Sequence, residues 1–329
     1  MCDEVSQCIA MANLQGCKVA AQEMVSLSDS TCIYEVWDED CTIYENGGHC
    51  SQGPPLSTAS RNDWGECVYS WTVCGNNIEV DAQPMCVWNQ AYQDNFERDS
   101  IAEILDNARN CYVLIDPFES TAVSSAIPAI KSKGNMVSCY ISAGTCEDWR
   151  DDFDLIKDYC VDEPWGEWAG EYFVDETDTG ILEHMKERVD KMADWGCDIV
   201  EFDNMDWTFD NDYRREYGFS ATANEGIAFN HDLCDYAHSK NMGCMAKSTT
   251  RGAADFDGMT VESYQSETNW WDQYQMEAML AEGKIGIVVH YNERDCNGVY
   301  AMYTGIYGDK LSFICEDRDT RQYVHFNSH

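Results

Sequence analysis

Eight short apolar runs in the C-terminal part of the chain each end in a polar or ionisable residue: Asp116, Ser142, Asp175, Asp203, Lys247, Glu262, His290 and Glu316. A single acid in such a place is ordinarily the solvated start of a loop. Five carboxylates among eight ends are harder to dismiss, because gathered acids repel one another and hold their protons unequally. Unequal carboxylates suit hydrolysis, one acting as general acid and the other as base or nucleophile. Other chemistries lack their residues: the sequence has no Gly-x-Ser-x-Gly elbow, no His-Glu-x-x-His zinc motif and no P-loop. Of the seven histidines, His231 and His238 share one predicted helix, and they read as surface residues. Neither a catalytic metal nor a cofactor is expected.

The elements that must position these ends are strands over Tyr112–Asp116, Val137–Ser142, Tyr172–Asp175, Asp198–Asp203, Cys244–Lys247, Met259–Glu262, Ile285–His290 and Leu311–Glu316. Helical spacing fills most of the gaps. The clearest helix places Ile181, Met185, Val189 and Met192 on one face and stops at Gly196. Eight β-then-α units predict an α/β fold of the (β/α)8 TIM-barrel kind over residues 101–329, with the strand ends converging on one mouth. A doubly wound open sheet is the alternative. It usually carries a Gly-rich phosphate turn after its first strand, where this chain has Pro117, Phe118, Glu119 and Ser120. Trp149, Trp165, Trp168, Trp207, Trp270 and Trp271 follow predicted strands on the mouth side, whereas Trp195 falls near the opposite face. Aromatic faces beside carboxylates suit sugar rings.

Of 18 cysteines, nine lie at or before Cys86 and nine at or after Cys111, with no Cys-x-x-Cys pair. That load points to an oxidising compartment and a secreted chain; Met1–Glu4 has no signal-like start, which fits a leader already removed. Residues 1–100, with Gly47-Gly48, Pro54-Pro55 and few periodic apolar runs, read as a small cysteine-rich module preceding the barrel. If every cysteine pairs, nine on each side of that boundary require at least one bridge to cross it. Free buried thiols at Cys244 or Cys315 are the alternative. Sixty acids against 21 bases give a net charge of −39, which excludes nucleic acid and anionic membrane surfaces as partners and favours a neutral or cationic one. No run approaches the roughly 18 apolar residues of a membrane span.

The runs Cys139–Arg150, Gly170–Asp175 and Asp198–Asp206, followed by Lys247 and Val261-Glu262, resemble glycoside hydrolase family 114 over residues 105–315 or so. The family's members have a TIM barrel, and its characterised activity is endo-hydrolysis of α-1,4-linked polygalactosamine. The resemblance implies that Asp203 and Glu262 are the catalytic pair, with Asp206 as a substitute for Asp203. It also implies that Asp116, Tyr140, Glu147, Arg150, Asp175, Asn204, Asp206, Trp207, Lys247 and Tyr291 line a polysaccharide cleft. Ser248 departs from the family, which often has Asn after the lysine.

A second reading keeps the barrel but not the catalysis: an extracellular structural or glycan-binding protein that self-assembles through its N-terminal module. A third, calcium binding, finds acid-rich spots such as Asp38-Glu39-Asp40 but no EF-hand loop, and these read as solvated charge.

Overall fold

The computed structural model describes residues 24–26, 32–34, 60–61, 67–68, 84–92, 98–166, 168–205, 216–218, 221–247, 256–264, 276–281 and 283–327. The chain divides into two units, Met1–Asn76 and Asn77–His329. In the first, β1 (Met24–Ser26) pairs antiparallel with β2 (Cys32–Tyr34), and β3 (Ser60–Arg61) with β4 (Cys67–Val68). The rest of the expected N-terminal module, and with it the self-assembly expectation, lies outside the described residues.

The second unit is an eight-stranded parallel barrel. Its strands run β5 (Val87–Asn89), β6 (Tyr112–Ile115), β7 (Met136–Ser142), β10 (Ile199–Asp203), β11 (Gly243–Lys247), β12 (Gly258–Tyr264), β13 (Ile285–Glu293) and β14 (Ser312–Asp317), each hydrogen-bonded to the next. A last strand, β15 (Tyr323–His325), turns back antiparallel along β14. It brings His325 Nδ1 to 2.7 Å from the Val87 carbonyl, while the Met85 amide donates to Ser312 Oγ at 2.9 Å, so first and last strands meet.

Strand parity sorts the side chains into two cores. Val87, Tyr112, Leu114, Ile199, Met245, Ile285, Ile287, Val289, Tyr291 and Ile314 fill the barrel interior. The alternate residues, such as Val113, Val200, Phe202 and Ala246, face the helices. The helix Thr179–Trp195 follows its sequence pattern: Ile181, Met185, Val189 and Met192 are buried, Asp178 caps the start by accepting from the Gly180 amide, and Gly196 ends it at φ +88°.

Three expectations change. The first barrel strand is Val87–Asn89, so the barrel starts ahead of residue 101. Three residues are too few to show a period of two, and this strand sits in the cysteine-rich stretch. Second, the run Tyr172–Asp175 is no barrel strand: β9 (Glu171–Phe173) pairs antiparallel with β8 (Thr145–Glu147) in a hairpin inserted after β7. An apolar run ending in an acid serves such a hairpin equally well, here burying Phe173 against Trp165. Third, the bridge that crosses residue 100 is Cys86–Cys111, and it joins the barrel's first strand region to its second rather than two modules. All ten cysteines from Cys86 onward pair within this unit, through Cys139–Cys197, Cys146–Cys160, Cys234–Cys244 and Cys296–Cys315 as well, so neither Cys244 nor Cys315 is free.

Loop length should rank these bridges. The Cys139–Cys197 bridge spans 58 residues and Cys234–Cys244 spans 10. Chain entropy assigns them about 4 and about 3 kcal/mol. Chemical denaturation of the paired Cys→Ser variants should therefore show the larger loss for the first.

Candidate active site

The parallel register sets three neighbouring strand ends side by side. Asp203 closes β10, Lys247 closes β11 and Glu262 lies near the end of β12, all on the inward parity. Lys247 Nζ sits between the two acids, 2.9 Å from Asp203 Oδ2 and 3.0 Å from Glu262 Oε2. Those two oxygens are consequently no more than 5.9 Å apart. Burial alone would lower the pKa of Lys247, but the charges of Asp203 and Glu262 outweigh it and hold the ammonium above the ordinary lysine range. The ammonium also lies 4.0 Å from the ring centroid of Tyr92.

Further donors fix each acid. The Tyr140 hydroxyl donates to Asp203 Oδ2 at 2.7 Å and the Asn204 amide to Oδ1 at 2.8 Å. Tyr291 donates to Glu262 Oε1 at 2.7 Å. Burial, then the neighbouring carboxylate charges, push both phenols well above their usual pKa, so they remain donors. Asn204 reaches back because its φ is +59°, a left-handed conformation that asparagine tolerates, and its side chain donates to Ser142 Oγ at 2.9 Å. With the Asp203 side chain 12% exposed and that of Glu262 26% exposed, the aspartate is the more enclosed partner.

A second cluster braces the neighbouring rim. Arg150 clasps Glu147 through Nε and Nη2 at 2.7 and 2.8 Å, and Asp116 through Nη1 at 2.7 Å. All three are buried, and burial raises the pKa of Asp116 and Glu147 despite the guanidinium. Glu171 on the hairpin accepts from Thr145 Oγ1 at 2.8 Å, and burial beside Glu147 pushes it up to about 7.

The structure thus gathers Asp203, Glu262, Lys247, Tyr140, Asn204 and Tyr291 at one place, and Asp116, Glu147 and Arg150 in a neighbouring knot. Asp175 instead holds Thr177 and borders a cleft of about 430 Å³ with Asp158, Asp162, Glu163 and Asp178. His290 has outward parity and meets Ser263 and Tyr303, while Glu316 is buried inside and accepts from the Asn292 amide. Asp206, Trp207, Trp270 and Trp271 lie outside the described residues; Trp149 and Trp168 are exposed. Sequence reasoning missed Tyr92, Glu171 and Glu201. Glu201 was findable, since it lies two residues before Asp203 and so shares its face. Among the described residues, Cys234, His238 and Cys244 bring donor atoms within 4.8 Å of one another, but the sulfurs are joined as a disulfide and His238 Nε2 lies 2.8 Å from Asp257.

A parallel barrel with a bridged carboxylate pair at the C-terminal rim has the organisation of a barrel hydrolase. The family model for glycoside-hydrolase family GH114 matches residues 88–328, and the chain belongs to that family. Among solved structures it is similar to Aspergillus fumigatus Ega3 in complex with galactosamine, at TM-score 0.58 and 21% identity over 78% of this chain and 99% of that one. It is also similar to the glycoside hydrolase domain of PelA from Pseudomonas aeruginosa, at TM-score 0.51 and 14% identity over 70% and 93%. At these identities the likeness shows the fold. A comparison with curated proteins gave no match.

Two outcomes follow from the electrostatics. Lys247→Met leaves two half-enclosed carboxylates without their shared cation, so denaturant unfolding at neutral pH should show a loss of about 3–5 kcal/mol. Glu171 has a folded pKa of about 7, above the unfolded value of about 4.3. Its contribution to stability is therefore full below that unfolded value and is lost as pH rises through about 7. Stability measured across this window should fall less steeply in Glu171→Gln.

Proposed function

We propose that this barrel is a secreted, endo-acting glycoside hydrolase that cleaves an α-1,4-linked galactosamine polymer using Asp203 and Glu262. The observation that carries the reading is the shared Lys247 ammonium, which lies 2.9 Å from an oxygen of Asp203 and 3.0 Å from one of Glu262 at the barrel mouth. One ammonium bridging both acids keeps them close, which suits a double displacement, in which the two carboxyls stand roughly 5–5.5 Å apart. Asp203, fixed by three donors, attacks the anomeric carbon; Glu262, the more exposed acid, protonates the leaving oxygen and then activates water. Anomeric configuration is retained.

Two further features support the substrate and the compartment. A galactosamine polymer is cationic, and a chain of net charge −39 draws it in at long range. Five disulfides in the barrel unit suit an oxidising, extracellular setting. Tyr140, Asn204, Lys247 and Tyr291 hold the acids in place, and the Asp116–Glu147–Arg150 knot shapes the adjoining rim.

Mass spectrometry of α-1,4-galactosamine oligomers incubated with the protein should show internal cleavage, and NMR of the first product should show the α anomer. Glu262→Gln should lower kcat by about 10²–10⁴-fold while binding persists. Undiminished turnover in that variant would remove Glu262 from the mechanism. Binding without turnover by the unaltered protein would favour a glycan-binding assembly protein instead. Because attraction to the polymer is screened, kcat/KM should fall as the Debye length shrinks from about 10 Å at 0.1 M salt to about 3 Å at 1 M.

A further inference from the structure

One layer beneath the pair, the barrel interior is polar where such barrels are usually packed with branched aliphatic residues. Glu201 lies two residues before Asp203 on β10, and Thr260 two before Glu262 on β12, so each shares the inward face of the acid above it. Glu201 is fully buried. Its Oε2 accepts from Thr260 Oγ1 at 2.5 Å and from the Tyr112 hydroxyl at 3.4 Å, and its Oε1 accepts from the Tyr92 hydroxyl. None of these partners is a cation. A carboxyl held only by neutral hydroxyls in a dry interior loses much of its reason to ionise, and burial pushes Glu201 up to about 7.

Tyr92 connects this layer to the one above. Its hydroxyl reaches down to Glu201, and its ring lies 4.0 Å from the Lys247 ammonium that bridges Asp203 and Glu262. The charged and titratable groups around Glu201 are therefore Tyr92 after β5, Tyr112 on β6, Asp203 on its own strand and Lys247 on β11, with Thr260 as an uncharged neighbour. Around Glu262 stand Lys247, Tyr291 and, on β15, Tyr323.

We propose that Glu201 is a positioning residue that acts through Tyr92 and Lys247 on the pair above it. The proposal rests on Asp203 and Glu262 being the reacting pair. In the first step the carboxylate of Asp203 forms a bond to the anomeric carbon, the glycosidic C–O bond breaks, and the proton of Glu262 passes to the leaving oxygen. One negative charge thereby moves from Asp203 to Glu262 across Lys247, and the sum is unchanged. With Glu201 neutral, the ammonium balances that single charge. With Glu201 ionised, a surplus negative charge stands beside Asp203 and the Lys247 ammonium and opposes the loss of further protons from the site.

The test uses the full chain, with Glu201→Gln as a neutral isostere and Glu201→Asp as a shorter acid, and α-1,4-galactosamine oligomers as substrate. Infrared difference titration should show a buried protonated carboxyl that disappears as pH rises through about 7 in the unaltered protein. Glu171 titrates in the same range, so the band should weaken in Glu201→Gln and vanish only when Glu171→Gln is added. The alkaline limb of the kcat/KM profile should lie about one pH unit lower in Glu201→Gln, with Glu201→Asp between the two. A residue that merely filled the interior would lower activity equally at every pH. An unmoved alkaline limb, or an infrared band that Glu201→Gln leaves unchanged, overturns the proposal. If the unaltered protein cleaves no galactosamine polymer, the catalytic reading fails separately. The coupling is then read from the infrared titration of the Glu201 carboxyl, assigned by its loss in Glu201→Gln, and an identical midpoint with and without Asp203→Asn overturns it.

Discussion

An ammonium group enclosed between two carboxylates is the constraint around which the barrel mouth is built. Taking three charges out of water costs several kcal/mol apiece, and only close geometry with further hydrogen bonds offsets that cost. Lys247 meets the condition because β10, β11 and β12 are consecutive in the sheet, so the parallel register sets Asp203, Lys247 and Glu262 at adjoining ends. Tyr140 from β7 and Tyr291 from β13 complete the arc, each on the strand just outside those three. Five consecutive strands contribute one side chain apiece. A one-residue slip in any of them would turn its side chain to the helix layer and leave a buried charge unmatched.

The covalent reinforcement respects the same division of faces. Cys139, Cys244 and Cys315 all lie on the outward parity of their strands, among residues packed on the helices, and tie them to Cys197, Cys234 and Cys296. The inward faces near the mouth carry hydrogen bonds and ion pairs instead, which can exchange protons. Cys146–Cys160 lies apart from the barrel strands and fastens the segment between β8 and β9, the hairpin that carries Glu147 and Glu171 to the rim.

Much of this was legible from patterning. Seven of eight barrel strands, the helix Thr179–Trp195 and the polar ends at Asp203, Lys247 and Glu262 follow from runs long enough to display their period. What the sequence hid was either too short or too ambiguous. Val87–Asn89 has only two inward residues, and losing it also displaced Tyr92 into the wrong module. Tyr172–Asp175 has the composition of a barrel strand, and only its antiparallel partner Thr145–Glu147 distinguishes it. The reading of strand ends as a ring also overlooked parity: His290 ends its predicted run but faces the helices, whereas Glu201, in mid-strand, faces the centre.

Parity also explains how a strongly acidic chain concentrates charge where it matters. Among the described residues many acids lie on the surface, where water and salt screen them. Inside the mouth the same imbalance is kept in miniature, because each buried cation is shared by two carboxylates: Lys247 by Asp203 and Glu262, Arg150 by Asp116 and Glu147. Each cluster therefore carries one more carboxyl than its cation can neutralise. In a low-dielectric site that surplus is either held as a proton or matched by a positive charge from outside. The first is what a general acid requires, and the second is what an amino-sugar would bring.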